Sequence, residues 1–201
     1  MDELYRVRKG QVAVVDVPEL DYLSIQGQGV PGGPEFQHAA TLLRTATAGF
    51  LRRMPIEALW WVDETVLTDL VRDLTLGRTN RMDLPPDGWR WQALVRAPDP
   101  ATAEAIAGMT DGIRYLRWAE GPSVQVLHVG PYAAEGPAVR RLYAAIDAAG
   151  CRPRGRHHEI YLSKRPATLL RQPIEAPRKA ALTGAGRPGG HAALAAHPAR
   201  Y

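Results

Sequence analysis

Each half of the chain carries a glutamate just ahead of a short aromatic run, and each run follows a helix-like segment. The first reads Ile56-Glu57-Ala58-Leu59-Trp60-Trp61-Val62-Asp63 and the second His157-His158-Glu159-Ile160-Tyr161-Leu162-Ser163. Short runs rich in aromatic and β-branched residues read as strands. Side chains of a strand alternate between faces, so Glu159 and Tyr161 share one face while Ile160 and Leu162 share the other. Ile160 and Leu162 are natural core residues. A glutamate on the opposite face must find a partner if it is buried, because an unpaired carboxylate taken from water is very costly. Two such strands suggest a cleft with a carboxylate and aromatic walls.

The rest of the chain repeats around these strands. Residues 11–17 read as a strand, with another from Leu20 to Gln26 after the break at Pro18. A Gly-rich loop at 27–34 leads to Pro34, which opens a helix with Glu35 in its favoured first turn. Phe36, Ala40, Leu43, Thr47, Phe50 and Leu51 keep helical spacing along it. Residues 64–88 suggest a short helix, 89–96 a strand and 101–109 an Ala-rich helix. The second half then reads as strands at 115–119 and 123–129, separated by Gly121-Pro122. A loop at Gly130-Pro131-Tyr132 follows, then a helix over about 135–149, the strand at 157–163 and a last strand at 168–175. Leu23 and Ile25 match Leu127 and Val129 as inward positions. The expected fold class is therefore α+β: duplicated strand-helix-strand-strand modules, about 11–100 and 113–176, related by pseudo-twofold symmetry with a groove between them. From Pro177 to Tyr201 the chain turns to Ala, Gly, Pro and Arg, the composition of a flexible tail.

Composition narrows the function classes. The formal charge of +4 lies mostly in arginine, with few lysines and abundant Ala, Gly and Pro. That is the habit of a GC-rich genome rather than a basic surface, and it weighs against nucleic acid as a partner. Cys151 is the only cysteine, which excludes an intramolecular disulfide and a Cys-based zinc site. No signal region or 18-residue apolar stretch is present, so the expectation is a cytoplasmic protein without a membrane partner. The first strand begins near residue 11, leaving no room upstream for a helix-turn-helix, so a stand-alone protein is expected rather than a regulator. His157, His158 and Glu159 invite a metal, but adjacent strand residues point opposite ways and no further ligand cluster is visible. Neither metal nor cofactor is expected.

Several ordered segments resemble the GyrI-like small-molecule-binding family. They are Pro34-Glu35-Phe36-Gln37, Glu57-Ala58-Leu59-Trp60-Trp61, Trp89-Arg90-Trp91 leading to Ala97-Pro98-Asp99, Val126-Leu127-His128-Val129-Gly130-Pro131-Tyr132, and His157 to Ser163. The likeness covers roughly residues 5–175 and makes 1–176 one such domain. It implies a groove between two modules that takes flat, hydrophobic, often cationic compounds above an acidic residue. It further implies that a stand-alone member of this kind hydrolyses the cyclopropane of DNA-alkylating natural products, as a cyclopropanoid cyclopropyl hydrolase giving self-protection. Matching groove positions are Glu159 and Tyr161, with Trp60, Trp61, Trp91 and Tyr132 around them. The chain departs from the family in a shorter linker before Trp60 and a longer segment at 64–88.

A cyclopropane conjugated to a dienone opens when its carbonyl gains a proton or hydrogen bond, so its hydrolysis needs a placed water, a base and a donor. Glu159 is the candidate base, its pKa raised by aromatic surroundings, and Tyr161 or Tyr132 the candidate donor. Trp60, Trp61 and Trp91 would stack on the ligand. Bland readings stand beside these. Glu159 could be a strand-edge surface carboxylate, and Glu57 could join a salt bridge with an arginine instead of the groove. Trp60 and Trp61 face opposite ways, with Trp61 favoured for the groove on the side of Glu57. Trp91 shares a face with Trp89 and could be core, Tyr132 could close a turn, and His128, a candidate ligand contact, could instead be a satisfied polar group. The alternative function is a non-catalytic module that sequesters or senses lipophilic cations, with Glu159 as counter-ion. An antidote acting on DNA gyrase ranks below both.

Overall fold

The computed structural model describes residues 3–49, 54–62, 88–162 and 167–176. Its elements run β1 (Val12–Gln28), α1 (Pro34–Ala46), β2 (Ile56–Trp61), β3 (Arg90–Arg96), α2 (Pro100–Met109), β4 (Arg114–Val129), α3 (Gly136–Ala148), β5 (Arg152–Pro153), β6 (His157–Leu162) and β7 (Ala167–Glu175). Each helix opens on a proline in its first turn, where the missing N–H costs nothing. Asp99 also caps α2, accepting from the Thr102 amide at 2.8 Å. The expected helix within 64–88, the Phe50 and Leu51 positions, and the tail beyond residue 176 lie outside the described residues.

All strand pairs are antiparallel. The order is β4-β1-β3-β2-β6-β7, and β7 pairs back onto β4, so six strands close into a barrel with β5 appended to β7. The protein is thus a mixed α/β fold of a strand-rich antiparallel barrel and, among the described residues, three α-helices. No helix among the described residues is long and apolar enough to cross a membrane.

Two expected breaks are absent. Pro18 does not divide β1, nor Gly121-Pro122 β4. Each strand runs on, pairing Val17 with Gly121 and Glu19 with Ala119. Pro18 is tolerated because β3 joins β1 only from Tyr22 onward, leaving the other side of β1 unpaired at the proline. Gly121, at φ 70°, makes the matching bend possible. Gly27, expected in a loop, lies inside β1 opposite Trp91.

The closed sheet has two distinct faces. Outside it, α1 and α2 bury Phe36, Leu43, Ala103 and Ile106 against Leu23, Ala58, Trp60, Trp91 and Val95. α3 buries Val139, Leu142 and Ile146 on Val124, Val126 and Leu170. Ile160 and Leu169 point inside with Leu162 and Tyr5, as Tyr22, Leu59 and Leu94 do. The main sheet contacts of α1 are with β1 and β3, and those of α3 with β4 and β7, so the outer face of β2 and β6 lies between the two helices. The expected pairing of Leu23 and Ile25 with Leu127 and Val129 is one residue out of step. Val126 faces α3, whereas Leu127 sits opposite Leu169 and Val129 is exposed.

Gly27 shows how tightly the outer face is packed. A Cβ there would lie 2.3 Å from the Trp91 ring. That ring is buried and held edge-on by Phe36, 5.5 Å away, so it has no room to yield. Gly27→Ala is expected to cost about 1–3 kcal/mol in urea unfolding, with a changed Trp fluorescence spectrum.

Candidate active site

The register between β2 and β6 sorts the two glutamates. Ala58 pairs with Glu159 and Trp60 with His157, while Glu57 pairs with Ile160 and Leu59 with His158. Directly opposed residues in an antiparallel pair point to the same face. Trp60, Glu159 and Tyr161 therefore share the outer face beneath the helices, and Glu57, Trp61 and His158 share the inner one.

On the outer face the Tyr161 hydroxyl donates to Glu159 Oε2 at 2.7 Å, and the Trp60 indole N–H donates to the Tyr161 oxygen at 3.1 Å. Phe36 from α1 packs on both rings, 5.0 Å from Trp60 and 5.9 Å from Tyr161, and Trp89 stands edge-on to Trp60. Glu159 is 1% exposed. Burial raises its carboxyl to about 7, against the opposing pull of the Tyr161 and Trp60 hydrogen bonds and of His158. It is no surface carboxylate.

A second acid completes this face. Glu135, just before α3, is 5% exposed, and its Oε2 is buried without a hydrogen-bond partner. Burial and the neighbouring charge of Glu159 push its carboxyl up to about 9, opposed by a hydrogen bond from Tyr132. Tyr132 is 44% exposed, yet burial of its hydroxyl, followed by the charges of Glu159 and Glu135, holds its pKa far above the ordinary tyrosine value. The turn carrying Tyr132 is fastened from β4, where His128 Nε2 donates to the Pro131 carbonyl at 3.0 Å. His128 thus has a satisfied polar role that also positions Tyr132. Sequence reading placed Glu135 only at a helix start. Its one local signal is a carboxylate between the Gly130-Pro131-Tyr132 turn and Pro137; the approach to Glu159 is wholly tertiary.

The inner face holds a different cluster. His158 Nε2 is 2.9 Å from Glu57 Oε2 and its Nδ1 is 3.0 Å from Glu120 Oε1. The contact to Glu57 is an ion pair without aligned hydrogen-bond geometry. Arg171 joins Glu120 at 3.0 Å, donates to Gln125 at 2.9 Å and to the Leu4 carbonyl at 2.7 Å. Tyr5 donates to Glu57 Oε1 at 2.6 Å. Burial opposes charge on His158, but Glu120 and Glu57 outweigh it and hold the imidazole up to about 9. Glu57, Glu120, His158 and Arg171 thus form a network buried inside the barrel, and the charge of Arg96 also reaches Tyr5 and Tyr22 beside it.

Two expectations need correction here. Glu57 does not share a face with Glu159: it lies on the inner face, beside His158. Trp61, favoured for the groove, is on that inner face too, with the Arg156 guanidinium 3.5 Å above its ring. It is Trp60 that stands beside Glu159 and Tyr161. Trp91 is on the correct face but packs into the core beside Phe36.

His157 lies on the outer face opposite Trp60. Burial lowers its pKa to about 4, so it is neutral, and neither ring nitrogen meets hydrogen-bond geometry, although Gln172 lies close by. Among the described residues no group of three or more His, Cys, Asp or Glu could hold a metal ion. A separate open cavity of about 360 Å³ is lined by Ser24, Gln26, Gln92, Gly112, Arg114, Tyr115 and Leu116. It contains none of the acids described above.

No protein-family model and no curated protein matches the chain. Solved structures do. An uncharacterized conserved protein from Listeria innocua is 25% identical, with a TM-score of 0.64 over 87% of this chain and 97% of that one. A hydrolase from Listeria innocua is 24% identical, with a TM-score of 0.62 over 86% and 96%. The EcmrR C-terminal domain is 14% identical, with a TM-score of 0.53 over 83% and 98%. The chain has their fold.

Proposed function

We propose that this protein is a GyrI-like small-molecule-binding protein that takes a flat, hydrophobic ligand on the outer face of β2 and β6. On this reading it opens the ligand's cyclopropane ring with water, in the manner of a cyclopropanoid cyclopropyl hydrolase that detoxifies DNA-alkylating compounds. The observation that carries the proposal is Glu159: a buried carboxylate with a pKa near neutrality, held by Tyr161 and surrounded by Trp60 and Phe36. Such a group is ionised often enough at neutral pH to accept a proton from water and basic enough to keep it. The aromatic neighbours offer stacking surface and exclude bulk water. Tyr132, nearly half exposed and within electrostatic reach of both acids, is the neighbour of Glu159 that a ligand would meet from solvent on this reading.

The duplicated-module reading gains support from the strand order. β1-β3-β2 and β4-β7-β6 repeat one arrangement, joined at β2–β6 and β1–β4. Modules at about 11–100 and 113–176 would then meet at β2 and β6, with α1 and α3 as the walls of a groove.

One observation favours a second reading, capture of a lipophilic cation. The cation acting on Glu159 is His158, on the opposite face, whereas the charge acting on Glu135 is the like charge of Glu159. A bound monocation would supply the missing counter-charge.

Incubating the protein with a cyclopropane-bearing alkylator separates these readings. Ring opening yields a water-added product by mass spectrometry at many equivalents per protein. Tight binding of the intact compound with no such product would leave the capture reading standing and remove the enzyme.

A further inference from the structure

The open cavity of about 360 Å³ is a product of strand alternation. Tyr22 and Leu94 point into the barrel, with Leu116 packed against them. Ser24, Gln26, Gln92 and Arg114 come next along the same inner rows, toward the end of the barrel where β1 finishes and β3 and β4 begin. Register brings them together, Gln26 opposite Gln92 and Ser24 opposite Arg114. An apolar interior thus ends in a polar mouth, with Leu116 as the apolar part of its lining.

That mouth is rich in donors. Arg156 Nη1 donates to Gln92 Oε1 at 3.1 Å, and a guanidinium only donates, so the other end of the amide is its NH2. The Ser24 hydroxyl donates to the Arg114 backbone carbonyl at 3.3 Å, tying the start of β4 to β1 beside the cavity. Arg114 brings a fork of N–H groups and a full positive charge. None of the seven lining residues is acidic. Gln92 is 5% exposed and Ser24 3%, so these polar groups belong to the wall of the cavity rather than to the outer surface. Arg156, behind Gln92, is braced on the Trp61 ring at 3.5 Å, and burial lowers the pKa of its guanidinium. A negative charge close by would offset that cost.

We infer that the mouth of the barrel is a second ligand site, which takes a small organic anion. Its carboxylate or phosphate head meets Arg114 and the Gln92 amide, and its short apolar body lies against Leu116. Arg114 supplies the charge, and Arg156 fixes the direction in which Gln92 presents its donors. The volume is at the small end of the range for ligand cavities, about 300–1,000 Å³, and suits a one-ring compound rather than a dinucleotide. The site is independent of ring opening, because Glu159 and Tyr161 lie on the other face of the sheet.

The test is calorimetric titration of the full chain with benzoate, with phenyl phosphate and with neutral benzamide. Saturable one-to-one binding of at least one anion is expected, and the tighter of the two identifies the head group. Benzamide should bind about ten-fold more weakly or worse, since it lacks the charge. Arg114→Ala, an exposed position, should weaken anion binding by about 10–100-fold with an unchanged urea midpoint. Gln92→Glu still accepts from Arg156 but puts a like charge at the head group, and should weaken it by about ten-fold or more. No saturable binding of either anion by about 10 mM overturns the site. So does benzamide binding as tightly as benzoate, or anion affinity unchanged in R114A. Any of these outcomes leaves the outer-face reading untouched, and failure of ring opening leaves the anion site untouched.

Discussion

Replacing Glu159 with glutamine is expected to slow ring opening by about 10²–10⁴-fold, the range typical of a lost general base. The amide is nearly isosteric and its carbonyl can still accept the Tyr161 hydroxyl, so ligand binding and the Trp60–Tyr161 contact should survive. The wild-type value of kcat/KM should rise with pH through about 7, because only the ionised carboxylate takes a proton. That acid limb should flatten in the variant. Stability should not fall, since burial already disfavours the Glu159 charge. If the variant turned over within about twofold of wild type, Glu159 would have no part in the chemistry.

Arg171→Ala is expected to cost about 3–5 kcal/mol, the usual penalty for stripping one partner from a buried charge set. Glu120 would lose its guanidinium, and Gln125 and the Leu4 carbonyl would each lose a donor. The measurement is the urea midpoint at constant m-value, and a loss below about 1 kcal/mol would mean that the barrel interior relaxes or admits water. The same network sets a pH dependence. The folded pKa of His158 is raised to about 9 from 6.5. Its stabilisation is therefore fully present below about pH 6.5 and is lost as pH rises through 9, on the order of 3 kcal/mol. Glu135 and Glu159 act with the same sign, since acids with raised folded pKa values destabilise the fold as pH climbs from 4.5 through those values. Glu120 acts oppositely. Burial would raise its pKa, but His158 and Arg171 outweigh that and lower it, so its contribution is lost as pH falls through the depressed value. The urea midpoint should thus decline on both sides of a maximum on the acid side of neutrality, steadily toward pH 10.

Much of the local structure was legible along the chain. Period-two alternation placed Glu159 with Tyr161 and Ile160 with Leu162, and both pairs lie as expected. Proline and acidic first-turn signals marked α1, and the Gly130-Pro131-Tyr132 turn stands where it was expected. Pro18 misled because a proline halts pairing only where the neighbouring strand needs its N–H, and β1 has no second neighbour there. The two glutamates looked like twins because each precedes an aromatic run; one faces helices and the other the barrel.

Alternation, caps and turns depend on neighbours in sequence, so the chain alone determined which residues share a strand face and where helices begin. Strand register between β2 and β6 joins residues about a hundred positions apart, and a one-residue slip exchanges every face. Only the closed barrel put Trp60 rather than Trp61 beside Glu159 and sent Glu57 inward to His158. Only the packing of α3 carried Glu135 to within electrostatic reach of Glu159. Local propensity is written in each segment, whereas the pairing of two acids arises from which surfaces close upon each other.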